Sequence, residues 1–267
     1  MTTITLASRF SIRRTASLTR WNTVLLTRNR LAFFYAVLLP LLPLLLLLVM
    51  GERGDLSLGA SAIGTMFLIT ALFPVYYNVL AQFVSRRDEL VLKRMRTGET
   101  RDAELLVSIA LPGVISALIL SAIAVPIAGV LDQPLPVNPV LYAALAVLTV
   151  IMFTAFAYWT AAWTRSAEAA QLTSMPIIIL ASIGPLANTL PDMSDRLREI
   201  LSLTPGAAMS DLVRIGWFGF DGPGATEATL TFAETWSQAA QPLLVIAAWT
   251  YVAVMFARRS MRWEPRS

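Results

Sequence analysis

The stretch "LAFFYAVLLPLLPLLLLLVM", residues 31–50, runs for twenty residues without a charge. At about 1.5 Å of rise per residue, a helix of that length crosses the roughly 30 Å hydrocarbon core of a bilayer. Five further stretches read the same way: 60–84, 105–131, 138–162, 171–190 and 238–257, none of which contains Asp, Glu, Lys or Arg. The chain is 56% hydrophobic and 14% charged, whereas soluble domains carry about 25% charge. The expectation is an all-α integral membrane protein. It has a basic N-terminal segment (1–30), a six-helix transmembrane domain (31–257) and a basic tail (258–267).

Lys and Arg near spans are retained in the cytoplasm, and here they divide unevenly. The segments before span 1, between spans 2 and 3, between spans 4 and 5 and after span 6 hold 17 of the 21, leaving Arg53, Arg196, Arg198 and Arg214 for the other side. Both termini are therefore expected in the cytoplasm, the chain being multi-pass in the cell (inner, cytoplasmic) membrane. The basic inner face, within a net charge of +4, suits anionic lipid. No folded basic domain offers itself to nucleic acid. No small-residue cleavage site follows the basic N-terminal segment, so it reads as retained.

Leu18, Trp21 and Leu25 recur on one face among Arg9, Arg13, Arg14, Arg20, Arg28 and Arg30, the pattern of a helix lying in the headgroup plane. A partly disordered basic tail is the alternative. Pro40 and Pro43 should kink span 1, because each removes a backbone donor. Span 2 ends in "FPVYYNVLAQFVS", whose Tyr76, Tyr77, Asn78 and Gln82 need partners in hydrocarbon. Packing and a substrate path serve them equally well. Tyr158, Trp159 and Trp163 fall where an inner-leaflet aromatic belt is expected.

The connection 191–237 breaks at Thr204-Pro205-Gly206 and suits two short half-buried helices dipping into the outer leaflet, carrying Leu197, Leu201, Pro205 and Leu212. Re-entrant backbone of this kind has to be shielded by protein or a cavity. Span 6 follows a capping box read at Thr235 and Gln238.

Chemistry is conspicuously missing. The chain has no His and no Cys, which removes imidazole bases, thiolates and the commonest metal ligands. No ionisable group sits within the spans to couple a proton or sodium gradient, and no GxxxxGK[ST] loop binds ATP. Neither a catalytic residue, a metal site nor a cofactor site is expected in this chain. A non-transporting scaffold or channel, an embedded enzyme and a permease driven by a partner remain as readings, and the missing bases and nucleophiles argue against the enzyme.

Residues 85–104, "SRRDELVLKRMRTGETRDAE", hold eleven of the 38 charged side chains between two apolar runs. A short helix ending at Gly98 would set Leu90, Val91, Leu92 and Met95 as an apolar ridge flanked by both signs of charge, fit to enter a groove on a soluble partner. A solvated charged loop is the alternative. The run Glu89-Leu90, Lys93-Arg94 and Arg96-Thr97-Gly98-Glu99, with the six spans and the broken outer segment "LTPGAAMSDLVR", resembles the permease subunits of ABC-2 type ATP-binding-cassette exporters. The likeness is to the actinobacterial branch near the daunorubicin-resistance permeases. Arg101 stands where that pattern has a small polar N-cap such as Ser.

The resemblance implies a coupling helix within 86–99, with Arg86, Arg87, Glu89, Leu90, Lys93, Arg94, Arg96, Gly98 and Glu99 facing a separate ATPase subunit present in two copies, which binds the ATP and Mg. It also implies a second permease chain, identical or a paralogue, and an exit lidded by the outer helix pair. Tyr76, Tyr77, Asn78 and Tyr158 would line an uncharged path for a hydrophobic or amphiphilic antibiotic, drug or lipid. A lipid-linked glycan is the alternative cargo.

Overall fold

In the computed structural model, which describes residues 10–50, 54–92, 101–185, 193–222 and 225–260, the chain is helical nearly throughout. The order is α1 (Ile12–Arg28), α2 (Arg30–Val49), α3 (Leu56–Asp88), α4 (Asp102–Val130), α5 (Pro139–Trp163), α6 (Ala169–Ile183), α7 (Asp195–Ser202), α8 (Pro205–Phe218) and α9 (Glu234–Ser260). Five of these, α2, α3, α4, α5 and α9, are long and apolar enough to cross a membrane. The described part of the fifth apolar run forms the shorter α6, interrupted at Ser174 ahead of Pro176, and residues 186–190 of that run lie outside the described residues. Pro176 lacks the donor that would reach back to the Leu172 carbonyl, while Ser174 itself keeps right-handed helical torsions.

The 33 residues of α3 measure about 50 Å as a helix, well over the hydrocarbon thickness, so its charged end extends past the apolar band. The ends of α3, α5 and α9 and the start of α4 gather at one basic end of the bundle. Prolines distort the long helices locally. Phe34–Leu38 in α2 and Ala71–Tyr77 around Pro74 in α3 widen into π-helix, and Tyr35 stacks on Phe73 between them at 5.7 Å. Gly113 of α4 crosses α3 where a Cβ would lie 2.0 Å from the Pro74 carbonyl oxygen.

The core lies along α5, whose Tyr142 meets Phe67 of α3 and Trp217 of α8 edge-on at 5.3 and 4.7 Å. The outer helices differ from each other. Only Leu201 is buried in α7, while twelve of the fourteen residues of α8 are. Half-burial therefore describes neither, because α3, α5, α6 and α9 enclose α8. Its start is the one the sequence indicates. The Thr204 hydroxyl accepts from the Ala207 amide, Pro205 takes the first turn, and Gly219 closes the helix at φ +65°.

The start of α9 is fixed by Glu234, whose carboxylate accepts from the Thr231 amide at 2.8 Å and its hydroxyl at 2.7 Å. The cap thus lies four residues before the expected Thr235–Gln238 pair. Thr235 is instead buried, with its hydroxyl taking a 2.9 Å bond from Asn138 at the start of α5.

Gly206 packs so tightly on α6 that a Cβ would lie 1.6 Å from the Ala181 carbonyl oxygen. Gly206→Ala should therefore destabilise the protein by about 1–3 kcal/mol. A denaturation midpoint in detergent that matches the parent would contradict this packing.

Candidate functional site

The basic end is built by polar side chains meeting backbone groups that proline or a helix terminus leaves without a partner. Pro112 cannot donate to the carbonyl of Ser108 four residues back. The Asn22 amide of α1 donates to that carbonyl at 2.6 Å instead. Thr15, Thr19, Asn22 and Leu26, spaced by four, three and four, form the buried face of α1 on α4. The polar side of α1 therefore faces protein. Ile12, Trp21 and Leu25 face away from the bundle, 79%, 65% and 62% exposed.

Arg101 offers no acceptor at the start of α4, and Glu104 supplies one. Its buried carboxylate accepts from the Arg101 amide at 3.3 Å and the Ser11 amide at 2.6 Å. The Arg14 guanidinium grips the same carboxylate through two nitrogens at 3.1 and 2.9 Å, a fork that fixes α1 on α4.

Arg86 and Arg87, both expected to face a partner, do different things. Arg87 is fully buried and donates to the carbonyls of Ala161 at 2.8 Å and Thr164 at 2.6 Å. These are unsatisfied carbonyls at the end of α5, where a cation also meets the negative end of the helix dipole. Arg87 therefore presents nothing outward, and its work is to fasten the charged end of α3 to α5. The half-buried Arg86 donates to Asn22 at 2.6 Å and Gln82 at 3.2 Å, and Gln82 donates to Asn78 at 2.7 Å. Asn78, Gln82 and Arg86 thus form one ladder at four-residue spacing on α3, leading to α1 and α4.

Beyond Asp88 the helix stops. Glu89 caps it, and Leu90 turns through φ +59°, a left-handed conformation that costs a non-glycine residue about 1–2 kcal/mol. Helix resumes at Val91 and Leu92. Glu89 and Leu90 are exposed. Lys93, Arg94, Arg96, Gly98 and Glu99 lie outside the described residues.

The residues expected along a path separate. Tyr76 is wholly buried with its hydroxyl on Thr160 of α5 at 3.1 Å, and buried Tyr158 donates to the Leu106 carbonyl at 2.6 Å. Both serve as ties between helices. Tyr158 thus turns inward, leaving Trp163 as the exposed ring expected of an aromatic belt. Tyr77 and Asn78 are half-buried.

A cavity of about 370 Å³ opens at the other end, between α3 and α8, lined by Ser57, Ser61, Thr65 and Ser210. A second, of about 340 Å³, lies among α7, α8 and α9, with Arg198, Glu199 and Asp211 in its wall. Arg214 lines both. Its guanidinium donates to the Ala225 carbonyl at 2.6 Å and lies 5.0 Å from the Phe220 ring centre. Burial draws its pKa below the ordinary arginine value, against the pull of Asp211. Of the expected gate residues, Leu197 is exposed, while Leu201, Pro205 and Leu212 are buried.

The hydroxyl cavity, the shared Arg214 and the Asn22 and Glu104 anchors went unread in the sequence. Each joins residues far apart in the chain, and only the four-residue spacing of Asn78, Gln82 and Arg86 left a local signal. Compared with known proteins, the chain matches no family model and no curated protein.

Replacing Arg87 strands the carbonyls that it serves. Arg87→Met should lower stability by about 1–3 kcal/mol, whereas the exposed Arg258→Met should change it by less than about 0.5 kcal/mol. Chemical denaturation in one detergent compares the two, and equal midpoints would refute the fastening role.

Proposed function

We propose that the chain is the transmembrane permease subunit of an ATP-driven exporter, working with a separate ATPase and a second permease chain. The observation that carries this is the mechanical fastening of the charged elbow. Arg87 pins the end of α3 to α5, and Arg86 links it through Asn22 to α1 and α4. A force applied just beyond Asp88 would reach α3, α5, α1 and α4 together. A solvated loop needs no such anchorage. The strained turn at Leu90 adds support, since unfavourable backbone conformations persist where the surroundings hold them, often at switch regions.

In this reading α6, with the residues that follow it, supplies a sixth crossing, and both termini and the elbow are cytoplasmic. Residues 86–99 include the element that docks in a cleft of the ATPase. Closure of the ATPase around ATP and Mg pushes the elbow and tilts α3 along its length. The π-helical segments of α2 and α3 are the places where backbone hydrogen bonds can be exchanged at least cost. The exposed apolar faces of α2 and α6 meet the second permease chain or lipid. The hydroxyl-lined cavity between α3 and α8 forms the outer part of the path, and α7 with α8 lids it. Apart from Arg214 in the cavity wall the route carries hydroxyls and apolar groups, which suits an amphiphilic or hydrophobic cargo.

The decisive experiment reverses Lys93, Arg94 and Arg96 to Glu together in the full-length protein, expressed with the ATPase. Copurification of the two and ATP-dependent export should both fall to background while membrane insertion is unchanged. Undiminished export by the triple variant would overturn the reading.

A further inference from the structure

We propose that the groove between α4, α5 and α9 near the basic end is a binding site for one acyl chain of an anionic phospholipid, held with its phosphate on Arg258. The groove encloses about 390 Å³, within the roughly 300–1,000 Å³ of ligand sites. Its origin is a matter of side-chain size. Ala110, Ala155 and Ala257 are buried where the three helices converge, and the larger Leu106, Val114 and Val254 stand around them. Tyr158 contributes only its ring, because its hydroxyl is committed to the Leu106 carbonyl.

Apart from the Thr154 hydroxyl, which is buried without a partner among the described residues, the rest of the wall is aliphatic, so it asks for a hydrocarbon segment. Arg258 at its mouth supplies the charge. That residue is exposed and makes no hydrogen bond or ion pair with any described residue. The exposed Arg259 follows it. An apolar slot ending at a guanidinium matches a lipid tail below an anionic headgroup, since arginine binds phosphate through a fork of donors. The juxtaposition selects anionic over zwitterionic lipid, in the leaflet that adjoins the basic end. The site is independent of any transport reading.

The test uses the full-length protein in detergent micelles doped with equal amounts of phosphatidylglycerol and phosphatidylcholine, with retained lipids counted by native mass spectrometry. One phosphatidylglycerol per chain should be retained about fivefold over phosphatidylcholine, the worth of one basic group at an anionic surface. Arg258→Gln should abolish that preference. Val114→Phe, and Ile151→Trp at an exposed position of the wall, should each remove the retained lipid of either kind. Added inorganic phosphate should leave retention unchanged.

Equal retention of the two lipids by the parent protein, or a preference that survives Arg258→Gln, would overturn the assignment of the headgroup. Retention that persists in a folded groove variant would overturn the site, with Ile151→Trp deciding if Val114→Phe does not fold. Displacement by phosphate alone would replace the lipid by a free anion. A dimer that appears only when lipid is stripped would replace it by a second copy of the chain.

Discussion

Buried in protein or in hydrocarbon, a backbone carbonyl released by proline or stranded at a helix terminus has no water to turn to. Much of the basic end answers that constraint. Pro112 releases the carbonyl of Ser108, and Asn22 answers it from another helix. The end of α5 leaves Ala161 and Thr164 exposed to the same problem, and Arg87 answers it from α3. Donors that satisfy these carbonyls necessarily come from neighbouring elements. Satisfying the backbone and fastening the helices together are consequently one act.

The result is an asymmetric molecule. At the basic end, charged and amide side chains clamp α1, α3, α4 and α5 to one another, with Glu104 held by both Arg14 and backbone amides. At the other end aromatic contacts do the work. Trp217 donates to the Pro134 carbonyl at 2.8 Å and packs against Tyr142 and Phe218. Between the two ends, small residues such as Gly113 and Gly206 allow backbones to approach closely, which is how packing stabilises helices where no hydrophobic drive operates between them.

What the sequence reveals follows from range. The apolar runs are local, and five of the six produce helices of spanning length in nearly the expected places. The break at Thr204-Pro205-Gly206 is local too, and Thr204 and Pro205 take the cap and first-turn positions that their chemistry favours. The cap of α9 was misplaced because two Thr residues compete within one turn, and the tertiary bond from Asn138 claims Thr235. The directions of Tyr76 and Tyr158 could not be read at all. Whether a hydroxyl faces a path or a neighbouring helix depends on rotation about α3 and α5, which in these uniformly apolar helices leaves no periodic trace. The chain's membrane character was legible, whereas the clamp at its basic end was not.

The enclosure of α8 bears on how such a chain is made. Fourteen residues of helix reach about 21 Å, short of the roughly 30 Å needed to cross, and Arg214 rides on it. Such a segment cannot partition into lipid by itself as it leaves the ribosome. It needs a preformed protein niche, and α9, which supplies one wall of that niche, is synthesised later. Assembly of the outer half therefore has to wait for the final crossing, which makes α9 the keystone of biogenesis.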